Sequence, residues 1–164
     1  MTEEITVSKT ATKEERYQQL VPQIKALSEG ENDLIAVISN NMAALKFGLD
    51  FLWVGCYRAE GNELVLGPFQ GPVACTRIPF GKGVCGTAWQ EKKAIIIADV
   101  EQFEGHIACS SESKSEIVLP IFGKEGEVEW ILDVDSNQLA AFDETDEKYL
   151  QQVVEIIQQK LNVA

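Results

Sequence analysis

The chain has 164 residues, 45% of them hydrophobic, which suits one globular domain with a sizeable core. Lys and Arg total 14 against 26 Asp and Glu, for a formal net charge of -12. That balance excludes partners gripped through phosphates, because nucleic acid or an anionic membrane surface would be repelled.

The start, MTEEITV, lacks the basic and apolar regions of a secretory signal, and no apolar run approaches the ~18 residues of a membrane span. A cytoplasmic setting is therefore expected, where structural disulfides are rare. Residues 1–164 read as a single domain, with 1–12 a polar, frayed lead-in. From Lys13 the spacing of Tyr17, Leu20, Ile24 and Leu27 predicts a helix, kinked or restarted at Pro22. A second helix follows Asn32 or Asp33, carries Leu34, Ile38, Met42 and Leu45, and stops at Gly48.

The period then switches to two. FLWVGCY (51–57) and NELVLGPF (62–69) form a hairpin around Glu60 and Gly61. Further strands are expected in CTRIPF (75–80), AIIIADV (94–100), EIVLPIF (116–122) and VEWILDVDS (128–136), with a short helix after Gly83. The last helix opens after Asp143 or Thr145 and carries Leu150, Val153, Ile157 and Leu161 on one stripe. The expected fold is α+β: a six-stranded, mostly antiparallel sheet, with the N- and C-terminal helices on one side and active-site loops on the other.

Gly81-Lys82-Gly83-Val84-Cys85-Gly86 matches G-x-G-x-x-G, but the neighbouring strands look antiparallel and Asp99 and Glu101 come too early to bind a ribose. It reads as a tight turn into a helix. Of the four cysteines, Cys56 shares a strand face with Leu52 and Val54, a core position. Cys75, Cys85 and Cys109 stand beside glycines or in polar segments, and Cys109 lies in the loop GHIACSSESKSE (105–116). With His106 these three could form a Cys3His zinc site, although no C-x2-C pair is present. The redox alternative needs one attacking thiolate and one resolving thiol.

In ILDVDS (131–136), Asp133 and Asp135 point to one strand face. Burial and mutual repulsion would raise the pKa of one of them and keep a proton available; water on that face is the alternative. Glu116, at the head of the preceding strand, is placed to join them. Carboxylates raise a neighbouring thiol's pKa, and there is no Lys or Arg between Lys93 and Lys114, so His106 is the nearest helper for Cys109.

Taken together, WVGCY (53–57), residues 64–88, GHIAC (105–109), SEIVLP (115–120) and LDVDS (132–136) resemble the free methionine-(R)-sulfoxide reductases, which are stand-alone GAF domains. The resemblance covers roughly residues 33–160 and includes the spacing of the three cysteines and both acidic motifs. It implies that Cys109 attacks the sulfoxide sulfur, that Cys75 resolves the sulfenic acid, and that Cys85 is a second thiol for exchange. It further implies that Trp53 and Tyr57 wall the substrate pocket, while Glu116, Asp133 and Asp135 bind the ammonium group or protonate the departing oxygen. Thioredoxin as reductant, a homodimer, and no cofactor or metal complete the expectation. A non-catalytic GAF module binding a cyclic nucleotide, a bilin or an amino acid is the alternative. Two positions depart from the pattern: Trp130 stands where a glycine is usual, which would reshape the floor near Asp133, and Cys56 replaces an aromatic residue and adds a spare thiol.

Overall fold

The computed structural model describes residues 4–163. Helices α1 (Lys13–Glu29) and α2 (Leu34–Leu49) precede strands β1 (Trp53–Glu60), β2 (Glu63–Gln70) and β3 (Arg77–Pro79). Helix α3 (Gly83–Glu91), strand β4 (Ile95–Ile97) and a 3-10 turn (Val100–Gln102) lead to β5 (Ser115–Phe122), β6 (Val128–Ser136) and helix α4 (Glu144–Leu161). The six strands form one sheet in the order β3-β2-β1-β6-β5-β4, every pair antiparallel. The expected α+β architecture is present.

Alternation sorts the side chains into two layers. Val54, Cys56, Ile117, Leu119, Leu132 and Val134 pack with α1, α2 and α4. Trp53, Tyr57, Val118 and Ile131 face the opposite way, toward α3 and the loops. The helix starts carry the expected caps: Asp33 accepts from Ala36 N–H, and Asp143 forms a reciprocal capping box with Asp146. Among the described residues no helix is long and apolar enough to cross a membrane.

Three expectations need correction. Pro22 does not restart α1, which runs unbroken from Lys13 to Glu29; Pro22 is exposed, so the carbonyl it leaves unpaired faces water. Of the lead-in, residues 4–12 are docked rather than frayed, and 1–3 lie outside the described residues. Val7 is buried, Thr6 N–H donates to Gln23 Oε1 (3.0 Å), and Ser8 N–H donates to Gln19 Oε1 (2.8 Å). The two edge strands are shorter than expected, three residues each: Cys75 belongs to the loop before β3, Thr76 keeps only its carbonyl's bond from Leu66 N–H (3.0 Å), and residues 98–99 turn into the 3-10 segment.

The glycine-rich motif is a turn, as expected. Gly81 and Gly83 hold φ of +74° and +64°, and a Cβ on Gly86 would stand 2.6 Å from the Pro79 carbonyl oxygen.

Candidate active site

The floor of the site is written in strand register. Glu116 on β5 lies opposite Asp135 on β6, and Asp135 lies opposite Trp53 on β1. In the adjacent row Val118, Asp133 and Gly55 are aligned. Directly opposed residues share a face, so the three acids project together with Trp53 and Tyr57 away from the helical layer. Gly55 makes room for the Trp53 indole, since a Cβ there would stand 2.5 Å both from that ring and from Phe69 Cβ. Trp53 is stacked between Phe69 and Tyr57, with ring centroids 5.4 and 5.9 Å away.

Two loops supply the sulfur. The loop between β2 and β3 carries Cys75 and is tethered to the floor: Trp53 Nε1 donates to Pro72 O (3.1 Å) and Tyr57 OH donates to Cys75 O (3.0 Å). Cys109 sits in residues 103–114, where the turns are closed by short-range bonds such as Cys109 N–H to Ile107 O (3.1 Å). Cys75 and Cys109 form a disulfide with their Cα atoms 5.3 Å apart. Cys85, in the first turn of α3, reaches Glu116 Oε2 at 3.9 Å.

Burial dominates the electrostatics. Glu116 and Asp133 are each 6% exposed, and the cavity they line contains no lysine or arginine. Burial, then the charges of Asp133 and Asp135, pushes the Glu116 carboxyl well above its usual range. Burial and the Asp133 charge do the same to Asp135, against a hydrogen bond from Ser113. Asp133 is also raised by burial, though contacts with Glu116 and Cys85 restrain it. Cys85 is held protonated by burial and by the Asp133 and Glu116 charges, while burial lowers the His106 pKa. One Asp133 oxygen, Oδ1, has no hydrogen-bond partner. Burial and mutual repulsion therefore favour the protonated carboxyls, and the unpartnered oxygen leaves an unmet demand for positive charge.

All eight residues expected at the site from the sequence line this cavity or one of its walls: Trp53, Tyr57, Cys85, Cys109, Glu116, Asp133 and Asp135 border it directly, and Cys75 is joined through the disulfide. The cavity measures about 50 Å³. That is far below the roughly 300–1,000 Å³ of a typical small-ligand pocket. Ser113 was missed by sequence reasoning; its hydroxyl donates to Asp135 Oδ1 (3.2 Å) and ties the Cys109 loop to the floor. Its only sequence signal was its place in the polar loop.

The two departures from the family pattern do not touch the site. Trp130 packs in the helical layer and fills the space over Gly67, so it does not reshape the floor near Asp133. Cys56 is fully buried in that layer with its sulfur 3.9 Å from Met42 Sδ, and burial raises its pKa, so it is no spare thiol. The Cys3His alternative also fails in this form, because Cys75 and Cys109 are bonded to each other.

Comparison with known proteins agrees with this geometry. Residues 30–162 match the GAF domain family. The chain is 57% identical over 158 residues to GAF domain-containing protein A of Dictyostelium discoideum, covering 96% of this chain and 99% of that protein. It is 46% identical over 143 residues to the free methionine-R-sulfoxide reductase of Escherichia coli, covering 87% and 86%. The crystal structure of the free methionine-R-sulfoxide reductase of Neisseria meningitidis, in complex with its substrate, superposes with a TM-score of 0.94 at 43% identity, over 98% of this chain and 96% of that one.

Proposed function

Because the chain belongs to the GAF-domain family and, within it, to the free methionine-(R)-sulfoxide reductases, we propose that it reduces free L-methionine-(R)-sulfoxide to methionine. The observation that carries this reading is the Cys75–Cys109 disulfide closed over buried Glu116 and Asp133 and half-buried Asp135, in a cavity lined by no lysine or arginine.

The chemistry follows from those groups. Cys109 attacks the sulfoxide sulfur while a carboxyl of the Glu116, Asp133 and Asp135 cluster gives its proton to the sulfoxide oxygen. The oxygen passes to Cys109 as a sulfenic acid and methionine leaves. Cys75 then attacks the Cys109 sulfur, water departs, and the disulfide seen here forms. A dithiol reductant returns both thiols and is itself oxidised. Cys85, beside Glu116, is placed as the second thiol for exchange.

Selectivity comes from the same acids. A free amino acid carries an ammonium group that a peptide-bound methionine lacks, and the unpartnered Asp133 oxygen supplies an acceptor for it. Trp53 and Tyr57 offer the apolar wall for the side chain. Thioredoxin as the reductant and a homodimeric assembly are what the family resemblance implies, and the cytoplasmic setting is the expectation drawn from the sequence.

An epimer-resolved assay tests the reading. Turnover is expected with the free R epimer and a dithiol, with little from the free S epimer or from a peptide-bound sulfoxide. Cys109→Ser should abolish it. Substantial turnover by that variant, or equal turnover of peptide-bound substrate, would overturn the assignment.

A further inference from the structure

We infer that Cys85, Glu116 and Asp133 form a site for one thiophilic divalent cation of the zinc class, held where the substrate ammonium would bind. The competition part of this inference rests on the proposed reductase function; the metal site does not.

The ligand atoms are already gathered. Cys85 Sγ and one carboxylate oxygen from each of Glu116 and Asp133 lie within 4.8 Å of one another, and all three residues are buried. Zinc bonds of about 2.3 Å to sulfur and about 2.0–2.2 Å to oxygen place tetrahedral ligand atoms roughly 3.3–3.7 Å apart. The 3.9 Å from Cys85 Sγ to Glu116 Oε2 is already close to that spacing, so small side-chain rotations complete the set.

Three further observations point to a cation of this kind. Asp133 lines the cavity with only 6% of its surface exposed, and its Oδ1 is buried without a hydrogen-bond partner. No lysine or arginine lines the cavity to neutralise the cluster. An ammonium ion accounts for the carboxylates but gains little from a thiol, whereas sulfur mixed with oxygen is a donor set that zinc-class ions accept.

The mounting is rigid. Glu116 and Asp133 stand on the paired strands β5 and β6, and Cys85 stands on a helix. Three protein ligands leave a fourth position open toward the cavity, as in zinc sites that exchange a ligand. A bound ion would occupy the carboxylates that the substrate needs, so zinc-class ions should act as reversible competitive inhibitors. A rise in free zinc would then slow the reductase without oxidising it.

Cobalt(II) tests the site in the disulfide-bonded protein, where Cys56 and Cys85 are the free thiols. One cobalt per chain is expected, with a near-ultraviolet thiolate-to-cobalt absorption band that zinc bleaches by displacement. Cys85→Ser should remove the band, and Asp133→Asn should keep it while weakening binding by about tenfold or more. Circular dichroism confirms that each variant is folded. No band in the wild type, or a band that survives Cys85→Ser, would overturn the inference. Zinc added to the turnover assay should raise KM and leave kcat unchanged; inhibition of kcat alone would overturn the shared position. Turnover of free methionine-(R)-sulfoxide in metal-free buffer tests the reductase reading separately, so either can fail without the other.

Discussion

Replacing Asp133 with Asn should stabilise the protein while crippling it. The oxygen atoms of Glu116 and Asp133 lie within 4.8 Å of each other. If both were ionised, an effective dielectric constant near 20 would give a repulsion of about 3.5 kcal/mol. Proton uptake relieves part of this, which is why burial first and the Asp133 charge second raise the Glu116 and Asp135 carboxyls well above their usual range. A carboxyl with a raised folded-state pKa holds its proton more tightly in the folded than in the unfolded chain. Its favourable contribution is therefore present below the unfolded value, roughly 3.9 for Asp and 4.3 for Glu, and is lost as pH climbs through the folded value. At pH 8 the cluster destabilises the fold, and the neutral amide of Asp133→Asn removes one source of repulsion. A gain of about 1–2 kcal/mol is expected there, or roughly 2–6 °C in Tm for a chain of this size. At pH 4 the difference should shrink toward zero. Turnover should fall by an amount equivalent to about 2–5 kcal/mol, because a charged partner of the substrate is lost. Thermal unfolding of the disulfide-bonded protein at both pH values reads the result. A loss of stability at pH 8, or the same gain at pH 4, would refute the account of a repulsive buried cluster.

Two further outcomes test the scaffold of the site. Ser113→Ala removes the bond to Asp135, worth about 1 kcal/mol, and should raise KM for the free sulfoxide roughly fivefold, with Ser113→Thr restoring it; an unchanged KM would separate the Cys109 loop from substrate binding. Gly55→Ala forces a methyl group into the Trp53 ring and Phe69 and should cost about 1–3 kcal/mol with a shift in tryptophan fluorescence; a neutral result would show that the indole moves freely.

Much of the floor was legible in the sequence because β-strand alternation is a local rule. ILDVDS places Asp133 and Asp135 on one face, and the same rule sends Cys56 to the core side. What alternation cannot supply is the partner across space. Cys85 meets Glu116 from 31 residues away, and only the antiparallel pairing of β5 with β6 brings Asp133 beside them. The pairing of Cys75 with Cys109 came from the family resemblance; their spacing alone left zinc and disulfide readings open. The polar lead-in misled because it docks through glutamine side chains to its backbone, bonds that leave no hydrophobic period. Trp130 misled for another reason: a residue three positions before Asp133 lies on the opposite face of the strand.

The bridge between Cys75 and Cys109 spans 34 residues and encloses β3, α3 and β4. Closing a loop of that length removes unfolded-state entropy equivalent to about 4 kcal/mol. In the proposed mechanism each cycle would fasten and release a cross-link whose contribution is a large share of a small domain's stability. The oxidised chain is the harder one to unfold and to digest, and the reduced chain is the more vulnerable. A shortage of reductant would thus idle the protein in its most durable form, holding a protected reserve until thiol supply returns.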